Sequence, residues 1–149
     1  MIDIENQTNL DFDLAPLEQI AKSVTDADIE LLVVDNETIQ ALNAQHRGKE
    51  TPTDVLSFPL EYSFAPEIIG SIPLGSIVIA APYVIEKAKA FGHTTQEELT
   101  LLFIHGLLHL LGFDHEVDQG EMRAKEKELI ERFGLPESLI VRTTTPNKD

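Results

Sequence analysis

Three of the chain's five histidines fall within eleven residues, His105-Gly-Leu-Leu-His109-Leu-Leu-Gly112-Phe-Asp114-His115, at a spacing that suits metal ligands. His105 and His109 are four residues apart in what reads as a buried helix, so both rings leave one face, about 6 Å apart along the axis. Gly112 offers a left-handed C-cap that ends the helix and swings the chain back. That turn can bring His115 round as a third ligand. Three neutral imidazoles leave the fourth tetrahedral position of a zinc ion open to water, the arrangement of a catalytic rather than a structural site. A single histidine in an apolar helix is usually a packed core residue, and two at this spacing can arise by chance. Three imidazoles buried among Leu, Ile, Phe and Gly would be costly without a common partner. The metal reading therefore outweighs the bland one.

The same spacing fits the metzincin peptidase pattern, H-E-x-x-H-x-x-G-x-x-H, at every position but one. Gly106 stands where that pattern carries its glutamate, the general base on water. The ligand set resembles that of a protease; ordinary peptide hydrolysis is not the expected chemistry.

The 149 residues suit one domain with a real core, 42% of them hydrophobic and 25% charged. There is no cysteine, which excludes disulfides and thiolate ligands and leaves histidine, carboxylate and water for a metal. Met1-Ile-Asp-Ile-Glu5 lacks the basic and apolar regions of a signal peptide, and the apolar run from Leu99 to Phe113 is too short to span a bilayer. A soluble cytoplasmic protein is expected. The net charge of −15 argues against free nucleic-acid binding, which is driven by neutralising phosphates. It points towards a small molecule or a protein partner. His46, Arg47 and Lys49 nevertheless make a local basic patch, and a divalent cation would add its own positive field.

The elements that must position these residues can be read in order. Residues 2–5 alternate as a first strand, and residues 14–24 carry a helical period with Pro16 near its start. Residues 29–34 form a β-branched, buried strand, and 35–45 a helix capped by Asp35 or Asn36 with Ile39 and Leu42 inward. Residues 55–60 read as a strand closed by Pro59, 61–73 as a surface loop, and 75–80 as the fourth strand. Pro82 opens a helix that ends at Gly92. Thr94, Thr95, Glu97 and Glu98 offer overlapping capping boxes for the metal-bearing helix, 95–111, apolar nearly all round and hence central. A charged helix over 116–133 turns Met122, Leu129, Ile130 and Phe133 inward, and residues 143–149 read as a flexible tail after a domain spanning 1–142. His93 reads as a capping or packing residue, and Asp54 as a turn residue. Four strands and about five helices in mixed order suggest a single α/β or α+β domain.

Two segments together resemble the bacterial YbeY endoribonucleases. One runs Leu42-Asn43-Ala-Gln-His46-Arg47-Gly-Lys49-Glu-Thr51-Pro52-Thr53-Asp54-Val55-Leu56-Ser57-Phe58-Pro59; the other is the histidine segment, with Met122 and Glu126 downstream. Leu74-Gly75-Ser76-Ile77-Val78-Ile79 and Gly92-His93 also fall where that family has similar words, so the likeness covers most of residues 29 to 134. The resemblance implies a single α+β domain, a four-stranded mixed sheet flanked by about five helices, and one zinc per chain held by His105, His109 and His115. It also implies metal-dependent cleavage of single-stranded RNA in 16S rRNA 3′-end maturation and ribosome quality control. The family's functional arginine falls on Arg47, whose planar fork suits clamping a phosphate in the transition state. Ser76 stands where the family usually has Asp, and His46 where it usually has Tyr.

The expected partners are single-stranded RNA, the small ribosomal subunit and a ribosome-associated protein, with neither DNA nor a membrane. Asp114 could serve as base or, more commonly, orient an imidazole; RNA's own 2′-hydroxyl could serve as nucleophile. Two competing readings are a zinc hydrolase of another substrate class and a non-enzymatic, zinc-stabilised ribosome-assembly factor.

Overall fold

The computed structural model describes residues 2–47, 55–59, 73–113 and 119–135. The alternating start of the chain forms β1 (Ile2–Asn6), and the β-branched run forms β2 (Asp28–Val34), parallel to it. Between them lies α1 (Ala15–Val24), with Pro16 in its first turn, where a missing N–H costs nothing. After β2 comes α2 (Asn36–Arg47), which Asp35 caps by accepting the Thr38 backbone N–H at 2.7 Å.

The chain then contributes β3 (Val55–Pro59) and β4 (Pro73–Ala80). β4 inserts between β2, to which it is parallel, and β3, to which it is antiparallel, giving the order β1-β2-β4-β3. Parallel strands need a crossover, which α1 supplies for β1 and β2. The mixed sheet agrees with the sequence reading. β4 starts at Pro73, inside the predicted 61–73 loop; the rest of that loop lies outside the described residues.

The two faces of the sheet are separate cores. Ile29, Leu31, Ile77 and Ile79 join Leu17 and Ile20 of α1 and the apolar body of α4 (Thr95–Leu110) in the larger one. Val34, Leu56, Val78 and Ala80 pack with Ile39 of α2 in the smaller. This division follows from the period of two in a strand, which sends alternate side chains to opposite faces.

Helix α3 (Ala81–Phe91) ends at Gly92, φ +72°, and the chain enters α4 through a capping box. Thr94 Oγ1 accepts the Glu97 N–H at 3.0 Å, and Glu97 Oε1 accepts the Thr94 N–H at 2.8 Å. His93 packs at this junction, its ring against Phe91 and its Nδ1 3.6 Å from Oε1 of the fully buried Glu98. As expected, α4 is the central helix, packing on β3, β4, α1, α3 and α5 (Glu121–Arg132).

Element boundaries differ from the sequence reading by one or two residues, except at the last helix. The last helix starts at Glu121, five residues later than predicted, because Gly120 adopts φ +104°, which no helical residue has. Met122, Leu129 and Ile130 are buried as expected. The predicted tail, 143–149, and the end of the 1–142 domain lie outside the described residues. No helix among the described residues is long and apolar enough to cross a membrane.

Candidate metal centre

Helix α4 brings His105 and His109 to one face, as the four-residue spacing requires. Their rings meet nearly edge to face, with centroids 4.7 Å apart, and the two Nε2 atoms are 3.2 Å apart. On the far side of His105, Nδ1 lies 3.2 Å from Glu126 Oε1 on α5. Where that carboxylate accepts from the ring, the proton sits on Nδ1 and Nε2 keeps its lone pair.

Two chemistries fit the gap between the Nε2 atoms. One is a hydrogen bond from His109 Nε2–H to His105 Nε2. The other is a shared metal: two nitrogens about 2.0–2.1 Å from a tetrahedral zinc lie about 3.3 Å apart, which the observed 3.2 Å matches. The donor set, two imidazoles with a carboxylate behind one of them, is the kind zinc sites use.

Both histidines are half-buried, with the His105 side chain 25% exposed, so the Nε2 pair stands at the rim of the core and within reach of a ligand. The helix ends just beyond. The Phe113 N–H donates to the Leu108 carbonyl at 3.0 Å and the Gly112 N–H to the His109 carbonyl at 3.1 Å, with Gly112 at φ +99°. These two bonds are a Schellman turn, the left-handed ending expected at Gly112. His115 and Asp114 lie outside the described residues, and so does the Arg47 side chain, although Arg47 closes α2. Among the described residues no three His, Cys, Asp or Glu side chains converge on one point. The structure thus joins two of the expected ligands.

Glu126 was not singled out as a site residue from sequence, where Asp114 was the carboxylate considered for orienting an imidazole. A signal existed. Glu126 shares the inward face of α5 with Met122, Leu129 and Ile130, where a carboxylate needs a partner.

Gly106, between the two histidines, is buried against the sheet. A Cβ there would lie 2.8 Å from Ile77 Cγ2 and 3.1 Å from Ser57 Oγ. The position that carries the base in metzincins therefore has no room for a glutamate in this chain.

A family model for endoribonuclease YbeY matches residues 3–134, which includes every element described above except the first residue of β1. The chain belongs to the endoribonuclease YbeY family. A relative from Sulfurovum sp. (strain NBC37-1), named endoribonuclease YbeY, is 60% identical over 142 residues, 95% of this chain and 97% of its own. One of the same name from Campylobacter jejuni is 57% identical over 127 residues, covering 85% of this chain and 90% of its own. The solution structure of a Thermotoga maritima protein superposes with a TM-score of 0.58 at 30% identity, covering all of this chain and 96% of that one.

Ser76, where the resemblance leads one to expect an aspartate, lies on β4 next to Ile77. Ile77 faces α4, so its neighbour Ser76 points to the opposite face of the sheet, where its Oγ donates to Glu30 Oε1 at 2.8 Å. It does not share the face that carries the histidines.

Proposed function

We propose that this member of the endoribonuclease YbeY family is a zinc-dependent endoribonuclease that cuts single-stranded RNA, acting in the cytoplasm on the 3′ end of 16S rRNA and in ribosome quality control. The observation that carries the zinc reading is the 3.2 Å separation of His105 Nε2 and His109 Nε2 with Glu126 behind His105. RNA as the class of substrate rests on the family and on the names its relatives carry.

In this reading His105, His109 and His115 hold one zinc ion per chain. His115 is two residues beyond Phe113, and two residues of chain span at most about 7 Å. When bound, the ion supplies Lewis acidity to a phosphoryl oxygen and lowers the pKa of water. Arg47 clamps the scissile phosphate and stabilises its developing charge through paired N–H donors. Glu126 keeps the His105 ring oriented. The packing around Gly106 supports an RNA substrate over a peptide one, since the zincin glutamate cannot stand there. With no base at that position, the nucleophile is either water or the substrate's own 2′-hydroxyl. The products separate these routes: a 2′,3′-cyclic phosphate reports 2′-hydroxyl attack, and a 5′-phosphate with a 3′-hydroxyl reports attack by water.

The net charge of −15 favours recruitment to the small ribosomal subunit by a ribosome-associated protein over free scanning of RNA, and it is the observation that keeps the assembly-factor reading alive. One experiment decides between the two. Metal content and cleavage of a single-stranded rRNA fragment are measured on the wild type and on His109→Ala. About one zinc per chain, lost together with cleavage in the variant, is the expected result. Zinc in the wild type without metal-dependent cleavage would replace the enzyme with the assembly factor.

A further inference from the structure

We infer that Glu126 is a positioning residue that sets the tautomer and ring orientation of His105, and through them the affinity of the site for zinc; the inference rests on the zinc reading above.

The argument starts from where Glu126 stands. It is 4% exposed, on the face of α5 that also carries the fully buried Met122, Leu129 and Ile130. Those three already anchor the helix to the core. An apolar residue at 126 would complete the same face with no desolvation cost, whereas a carboxylate there loses its water and must recover that loss from a specific partner. The partner is a ring nitrogen of His105, twenty-one positions earlier on another helix, at 3.2 Å. A packing role alone does not select an acid here.

The effect on His105 follows from imidazole chemistry. Neutral imidazole carries one proton on either nitrogen, and only the nitrogen without it can bind a metal. In a neutral histidine in water the proton prefers Nε2, which would block the nitrogen that faces His109. A carboxylate acceptor at Nδ1 reverses that preference, since Nδ1–H can donate to it and a bare Nδ1 would repel it. It also stops the ring from rotating about Cβ–Cγ, because rotation breaks the contact. His105 Nε2 is then held as a lone pair 3.2 Å from His109 Nε2 before any metal arrives. This is pre-organisation of a ligand, and loss of such a partner typically costs 10–100-fold in metal affinity.

Two measurements test it. The first is the ¹⁵N NMR signature of His105 in the metal-free protein, which reports the tautomer directly. Wild type is expected to show Nδ1–H with an unprotonated Nε2, and Glu126→Leu to shift towards Nε2–H. The second is zinc affinity by chelator competition on wild type, Glu126→Gln, Glu126→Leu and His109→Ala. Glutamine keeps the shape and an acceptor oxygen without the charge, so its affinity is expected to fall by about tenfold or less, and that of the leucine variant by about 10–100-fold. Far-UV circular dichroism and urea midpoints check that both variants remain folded.

Nε2–H as the main tautomer of the wild type would overturn the inference without any variant. Zinc binding that is lost in His109→Ala but unchanged within twofold in Glu126→Leu would overturn it and leave the proposed function standing. A wild type that binds no zinc would overturn both.

Discussion

The Ser57 hydroxyl on β3 donates to the carbonyl of Gly106 at 3.1 Å, tying the edge strand of the sheet to the turn of α4 that separates His105 from His109. The contact is close because Gly106 has no side chain, and Ile77 of β4 fills the space a Cβ would need, at 2.8 Å. The metal-bearing helix is therefore seated on the sheet at the point where its two ligands leave it.

Gly106→Ala should lift that turn away from the sheet. The expected loss is about 1–3 kcal/mol, the usual cost of overpacking. Combined with Ile77→Ala, which removes the obstructing Cγ2, the loss should be less than the sum of the two single losses. Urea denaturation of the four proteins gives the coupling; strict additivity would mean that Ile77 is not the obstacle.

Gly112 and Gly134 both hold positive φ, +99° and +66°, after α4 and α5 respectively, so alanine at either should destabilise the fold by about 1–3 kcal/mol. Of the two, only Gly112 lies between His109 and His115 in the chain. Zinc affinity should fall in Gly112→Ala and stay near wild type in Gly134→Ala. Equal zinc affinity in the two variants would separate the turn from the site.

Arg47→Ala should lower RNA cleavage by about 10²–10³-fold, the usual effect of removing a donor aimed at transition-state charge. Zinc stoichiometry should not change. Arg47→Lys should recover only part of the rate, since an ammonium cannot make the paired bonds of a guanidinium. A variant that cuts RNA at the wild-type rate would remove Arg47 from the proposed mechanism.

Zinc should stabilise the protein without being needed to fold it. The larger core, built around Leu17, Phe103, Ile104 and Leu107, closes without the histidines. Saturation at a hundred times Kd should add about 2.7 kcal/mol, a rise of roughly 5–10 °C in Tm for a chain of this size. Unfolding at room temperature on addition of a chelator would instead identify a structural metal.

Asp35 should give part of the acid dependence of stability. The Thr38 backbone N–H, then the Thr38 hydroxyl, hold its carboxyl below the ordinary value of 3.8. A folded-state pKa below the unfolded one means stability that is present above the unfolded pKa and lost as pH falls through the folded pKa. Urea midpoints measured from pH 7 down to pH 3 should fall less steeply in Asp35→Asn, which keeps a cap but does not titrate. Identical slopes would assign the acid dependence to other carboxylates.

What could be read from the amino-acid sequence was what few residues decide among themselves. The capping box of Thr94 and Glu97, the left-handed ending at Gly112 and the shared face of His105 and His109 each depend on residues within five positions of one another. Strand and helix periods depend on equally short windows, which is why every described element was expected to within one or two residues, apart from the start of α5 beside the left-handed Gly120. Tertiary structure decided the contacts between residues far apart in the chain. Glu126 reaches His105 only because α5 packs on α4, and Ser57 reaches Gly106 only because β4 lies between β2 and β3 and sets the edge strand under α4. The same register turns Ser76 away from the histidines and towards Glu30. No local rule carries such pairings, because each is the joint outcome of how the sheet orders its strands and which helix covers which face.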